Sequence, residues 1–235
     1  MLLPVEKSQK ITDLSKQVIL IYGRAKIGKS TLCSQFEKPL FLATEAGLNH
    51  LEVYKININS WEKFLLACKE IAEGKHDFKT IIIDTVDNLV AYCSEYVCKR
   101  EKINHPADMP MGKGWFLVTQ ELQLKMTKLS ALPYGLVFVS HCNLDEITTK
   151  TEKYSRYTIS VSGTGNRNTL LNMTDIILFI DSRIEGGKER RLIYTKPSRN
   201  YEAGDRSGKL PEELKLDYDE LAKYFTNNLP KGGKK

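Results

Sequence analysis

Residues 23–31 read GRAKIGKST: a glycine, four intervening residues, then Gly-Lys-Ser-Thr. Gly23, Arg24, Ala25, Lys26, Ile27, Gly28, Lys29, Ser30 and Thr31 form a loop in which the glycines let backbone N–H groups wrap an anion at the start of a helix, where the helix dipole favours negative charge. In such a phosphate cradle Lys29 reaches the β- and γ-phosphates and Ser30 offers a hydroxyl to Mg²⁺, so ATP and Mg²⁺ are the expected ligands. The local context agrees, because the apolar run VILIY (18–22) precedes the loop and a helical pattern follows it.

A second Mg²⁺ contact calls for a carboxylate at the end of a neighbouring strand, and Asp84, closing the apolar run TIIID, is the candidate. Asp84 or Thr85 would also serve as the N-cap of the helix that follows, and Asp87 reads as first-turn helix charge. Hydrolysis needs a group that orients or deprotonates water. Glu45, directly after the run PLFLA and Thr44, suits that role, although a plain surface glutamate before Gly47 has the same sequence. His141, ending GLVFVSH, is placed to sense the γ-phosphate, and a packed core histidine is the competing reading.

These residues need a scaffold that brings strand ends together. Short apolar runs at 18–22, 39–43, 53–58, 80–84, 135–141, 175–181 and 190–195 suit buried strands of a largely parallel sheet. Between them, Trp61, Phe64, Leu65, Cys68, Ile71 and Ala72 recur at helical spacing after Ser60 and before Gly74, and 85–100 and 115–132 are similar. Alternating strand and helix predicts a three-layer αβα sandwich, with an antiparallel pair at its C-terminal side joined by Glu185-Gly186-Gly187-Lys188. Two long connections interrupt the alternation: 103–114, and 143–168 with a β-ribbon followed by the glycine-rich SGTGNRN.

Composition bounds the rest. The expected organisation is one domain over 1–229 with a disordered basic tail over 230–235. Thirty-five Lys and Arg against 29 acids give +6, of which Lys231, Lys234 and Lys235 supply half, so a nucleic-acid partner is permitted and not demanded. Five cysteines without any Cys-x-x-Cys pair read as reduced thiols of a cytoplasmic protein, and the histidines lack metal-ligand spacing. The opening MLLPVEKSQK has no apolar run of signal-peptide length, and no stretch is long enough to span a membrane.

In order along the chain, GRAKIGKST, FLATE, IIIDTVDNL and VFVSH resemble the RecA-like division of P-loop ATPases, in particular phage nucleotide-binding proteins with a minimal RecA core, including the Sak-class single-strand-annealing ATPases. The stretch 192–214, with its Lys, Ala-Gly-Asp-Arg and Leu-Pro, adds to that resemblance. It implies a RecA-like P-loop NTPase core that assembles as a homo-oligomer, ring or filament, with ATP between subunits. Lys196, Arg199 and Arg206 match the cations that complete a neighbour's site, where positive charge over the γ-phosphate stabilises the transition state. The resemblance further implies that the long loops face single-stranded DNA. Lys113, Lys150, Lys153, Arg156 and Arg167 supply cations there, and Tyr154 and Tyr157 rings for base stacking, while an ordinary solvated ribbon fits the same residues equally well.

The leading expectation is therefore an Mg-ATP-dependent DNA-recombination ATPase that assembles on single-stranded DNA, with a single-strand-binding or replication protein as a further partner. A nucleotide-gated replication loader or scaffold is the first alternative. A small-molecule kinase is the second, in which the basic 182–209 segment would form a lid.

Overall fold

The computed structural model describes residues 3–7 and 11–225, so the expected tail over 230–235 lies outside the described residues. The elements run β1 (Val18–Gly23), α1 (Lys29–Ser34), β2 (Pro39–Ala43), β3 (Tyr54–Asn57), α2 (Trp61–Glu73), β4 (Thr80–Asp84), α3 (Val86–Glu101), α4 (Lys113–Ser130) and β5 (Gly135–Ser140). They continue with β6 (Cys142–Thr148), β7 (Lys153–Ile159), α5 (Thr164–Met173), β8 (Ile176–Glu185), β9 (Lys188–Tyr194), β10 (Gly204–Asp205), β11 (Glu213–Lys215) and α6 (Tyr218–Ala222).

The main sheet has the order β11-β9-β8-β1-β5-β4-β2-β3, with β10 also on β8. Its β8-β1-β5-β4-β2-β3 portion is parallel, whereas β9, β10 and β11 pair antiparallel. All five residues of β4 and all six of β5 are buried, which is why these runs are apolar throughout and do not alternate. Alternate β1 side chains feed two cores. Leu20 and Tyr22 meet α2, α3, α4 and α5, while Ile19 and Ile21 meet α1, α6 and the loops beside them. The result is the expected three-layer α/β P-loop NTPase fold, with helices on both faces of one sheet.

Local chemistry accounts for the boundaries. Ser60 accepts a hydrogen bond from Lys63 N and Gly74 closes α2 in the left-handed conformation, as their positions predict. The ribbon expected in 143–168 is β6 and β7, paired antiparallel from Cys142–Ile159 to Thr148–Lys153. SGTGNRN, read as loop, instead opens α5. Gly165 has no Cβ to collide with Thr119 Oγ1, which would lie 2.8 Å away, so α5 approaches α4 closely. The buried Asn166 side chain accepts from Thr119 Oγ1 and donates to Ser162 O. Packing overrides the turn preference of this composition. All five cysteines are free thiols.

The spatial order differs from the chain order at one consequential place. PLFLA separates the cradle from the Asp84 strand along the sequence, yet in the sheet β5 lies between β1 and β4, and β2 is outside β4. Register aligns Tyr22 with Ser140, Val139 with Asp84, and Asp84 with Ala43. The chain therefore leaves β1, β5, β4 and β2 along one edge of the sheet, the place where open α/β sheets bind ligands.

Candidate active site

The cradle loop joins β1 to α1. Gly23 is required where β1 meets β8, because a Cβ there would sit 2.3 Å from the Ile180 carbonyl oxygen. Gly28 precedes α1 at φ 112, a left-handed conformation that side chains rarely adopt. Lys29 is only 6% exposed, and its ammonium donates to the carbonyls of Gly23 at 2.9 Å and Arg24 at 2.8 Å. Burial pushes that ammonium below the usual lysine range, and among the described residues its hydrogen-bond acceptors are these two carbonyls.

Ser30 Oγ donates to Asp84 Oδ2 at 2.6 Å. Asp84 is 3% exposed, and desolvation raises its carboxyl above the ordinary range, against the pull of the Ser30 hydrogen bond. A hydroxyl and a carboxylate brought together beside the cradle are hard oxygen donors of the kind Mg²⁺ prefers. Among the described residues no three His, Cys, Asp or Glu side chains converge as a protein-only metal cage. The residues present thus fit Mg²⁺. Thr85, not Asp84, takes the N-cap position of α3.

Glu45 and His141 meet across the same edge, with His141 Nε2 3.5 Å from Glu45 Oε1. Two joints hold them. Thr44 Oγ1 donates to Thr85 O and accepts from Thr85 N, each at 2.8 Å, which ties the end of β2 to the end of β4. Asp87, read as plain first-turn charge, accepts from Ser140 Oγ at 2.8 Å and from His141 N at 3.1 Å, and so ties α3 to the end of β5. Its burial raises its carboxyl. No sequence signal distinguishes this aspartate from a helix-dipole charge, because its partners come from a strand more than fifty residues away.

A cavity of about 420 Å³ gathers these groups: Lys29, Ser30, Glu45, Asp84 and His141 line it, together with Arg191. Ala25, Lys26, Gly28 and Thr31 complete its cradle side. Ile27 instead anchors the loop in the core, and Arg24 turns to Asp181 at 3.4 Å and to the Tyr157 hydroxyl. Arg191, missed in the sequence, stands on β9 with a guanidinium nitrogen 3.6 Å from where a Cβ on Gly28 would be. It borders a second cavity of about 630 Å³ that continues past Thr31 and Gln35 to Lys215 and Leu216.

The cations expected to act across a subunit boundary are not among the described residues that line these two cavities. Arg199 pairs with Glu152 at 2.7 Å and covers the Tyr154 ring at 4.6 Å. Arg206 pairs with Asp175 and donates to Asn172 O, and Lys196 acts on Asp205 through its charge. Several residues expected at DNA are likewise engaged internally. Arg156 lies 3.6 Å from Glu202, Arg167 bonds Asp145 at 2.8 Å, and Tyr157 stacks on Phe179. Exposed Lys113, Lys150 and Lys153 have no ion-pair partner among the described residues.

Comparison with known proteins places this geometry in context. A family model described as an AAA domain matches residues 15–207. The SPbeta prophage-derived protein YorG of Bacillus subtilis is 29% identical over 178 residues, covering 72% of this chain and 52% of YorG, so the chain spans about half the length of that relative. A KaiC-like protein of Pyrococcus horikoshii superimposes with a TM-score of 0.48 at 11% identity, covering 79% of this chain and 80% of its own. The flagellar accessory protein FlaH of Methanocaldococcus jannaschii gives 0.49 at 12% identity, covering 85% and 84%. The fold assignment rests on the strand order and layers of this chain itself. No helix among the described residues is long and apolar enough to cross a membrane.

Proposed function

The chain belongs to the AAA domain family, and from that premise we propose that it is an Mg²⁺-dependent ATPase whose turnover is tied to single-stranded DNA in phage recombination. One observation carries the hydrolytic part: Lys29, Ser30, Asp84, Glu45 and His141, from four separate strand ends, line a single cavity. Lys29 would exchange its two loop carbonyls for β- and γ-phosphate oxygens. Ser30 and Asp84 would hold Mg²⁺, which when bound neutralises phosphate charge and orients the phosphate chain. Glu45 takes the proton as a water oxygen attacks the γ-phosphorus and ADP departs, and His141 sits within reach to keep the Glu45 carboxylate aimed. A site that hydrolyses in this way releases inorganic phosphate with water as the acceptor and no second substrate, which separates it from a kinase.

Arg191 adds a cation from the same chain. Its loss should remove ground-state phosphate or ribose contact, so Arg191→Ala is expected to raise KM for ATP about tenfold while leaving kcat within about threefold. Steady-state phosphate release over a range of ATP concentrations checks this. An unchanged KM would take Arg191 out of the site.

The DNA part draws support from the prophage origin of the YorG relative and from the exposed lysines on the 143–168 ribbon and at the start of α4. Lys196, Arg199 and Arg206 remain the candidates for completing a neighbouring subunit's site in a ring or filament. The ion pairs at Arg156, Arg167 and Arg199 favour Lys113, Lys150 and Lys153 as the phosphate contacts. Binding to single-stranded DNA should weaken with salt by a log–log slope of about −0.7 per neutralised phosphate, and replacing Lys150 and Lys153 by alanine together should flatten the slope by about 1.4. Fluorescence titrations from low to high salt measure it. A slope indifferent to both lysines, with turnover indifferent to DNA, would favour the loader or scaffold reading that the internal ion pairs also support.

A further inference from the structure

Between α2 and α4 the edge of the core lies open along a groove. The core takes Trp61, Phe64, Ala67 and Ile71 from α2, and Val118, Leu122, Met126 and Leu129 from α4. Leu65 and Cys68 of α2, half-buried against that core, and the exposed Ala72 recur at helical spacing on a neighbouring face, and the core residue Leu129 stands opposite near the end of α4. Together they floor a groove of about 320 Å³. Burial pushes the Cys68 thiol up to about 12, as an apolar setting would.

The rim is of one sign. Lys69, Lys125 and Lys128 line the groove, and no carboxylate does. Glu121, 3.8 Å from Lys125, is already taken by Trp61 Nε1 and Arg100. Lys69 and Lys128 have no ion pair among the described residues. Lys128 lies in the last turn of α4, where it offsets the carbonyl end of the helix dipole. Lys69 lies a turn before the end of α2, so the dipole does not account for both.

We infer that this groove docks an acidic peptide segment of a partner protein that inserts apolar side chains between α2 and α4 while its carboxylates meet Lys69, Lys125 and Lys128. An apolar floor within a cationic rim matches that chemistry and disfavours the reverse. The chain's own residues 226–235 carry Lys231, Lys234 and Lys235 and no acid, so they have the same sign as the rim. The groove shares no lining residue with the nucleotide cavity, and occupation of one leaves the other open.

The test is fluorescence anisotropy of the full chain with a labelled peptide of four aspartates followed by two leucines and a phenylalanine, against the same peptide with lysines for aspartates. Saturable binding of the acidic peptide is expected, weakening from about 50 to 500 mM salt as exposed charges are screened. Lys69→Glu with Lys128→Glu should weaken it at least about tenfold, and Ala72→Phe, which fills the floor, should do the same with the melting temperature kept. Absence of saturable binding, equal affinity for the two peptides, or affinity unchanged in both variants would overturn the assignment. So would concentration-dependent self-association of the chain that Ala72→Phe abolishes, since the groove would then belong to a second copy.

Discussion

Lys29→Met should bind ATP at least about a hundredfold more weakly than the parent chain, with turnover lost in proportion. A charge-assisted hydrogen bond contributes about 1.5–3 kcal/mol, and Lys29 is the cation held inside the cradle loop, with its charge buried and its pKa lowered. Removing it leaves phosphate charge uncompensated at the point where the loop carbonyls of Gly23 and Arg24 also converge. Stability gives an independent readout. Saturating ATP at about 100 times Kd adds about 2.7 kcal/mol to the parent chain, and that gain should vanish in the variant; the nucleotide-free melting temperature is the reference for each chain, since methionine removes a desolvated charge but also the donor to the Gly23 and Arg24 carbonyls. A variant that ATP stabilises as well as it does the parent would remove Lys29 from the phosphate site.

Glu45→Gln should separate binding from chemistry. The amide keeps the size of the side chain and an oxygen to accept from His141, 3.5 Å away, so ATP affinity should stay within about threefold. It cannot accept a proton from water, and loss of a positioned general base slows turnover by about a hundredfold or more. Rapid-quench measurement of the first turnover reads the chemical step directly. Normal turnover in this variant would place the base elsewhere, with His141 the next candidate lining the cavity.

The readable parts of this site are those whose signal is local. Lys29 and Ser30 are marked by spacing within nine residues, and Asp84 and Glu45 by an apolar run that ends at an acid, so one chain segment suffices for each. Their meeting was implied by a parallel sheet, because all parallel strands deliver their carboxyl ends to one edge. Which strand stands between β1 and β4 was not legible, since pairing is decided by packing among the strands together and not by any one run. The tie that Asp87 makes to β5, and Arg191 altogether, were not legible for the same reason. Asp87 acquires its role from the end of β5, and Arg191 from the pleat of β9, which turns it toward Gly28 while Arg190 pairs with Glu185. The cations expected at DNA show the converse: nothing in the sequence pairs Arg156 with Glu202 or Arg167 with Asp145, which the fold brings beside them. In SGTGNRN a turn-like composition conceals a helix whose Gly165 serves close packing against α4.

The central claim is that this cavity hydrolyses ATP with Mg²⁺ and water as the acceptor, using Glu45 as the base. Its most direct test follows γ-labelled ATP on the purified chain, with Mg²⁺ or with a chelator, in the parent and in Glu45→Gln. The label should appear as inorganic phosphate only from the parent chain with Mg²⁺, while Glu45→Gln binds ATP and retains the label on the nucleotide. Label that never leaves ATP in the parent chain, or that leaves it equally fast with Glu45→Gln or without Mg²⁺, would contradict the claim.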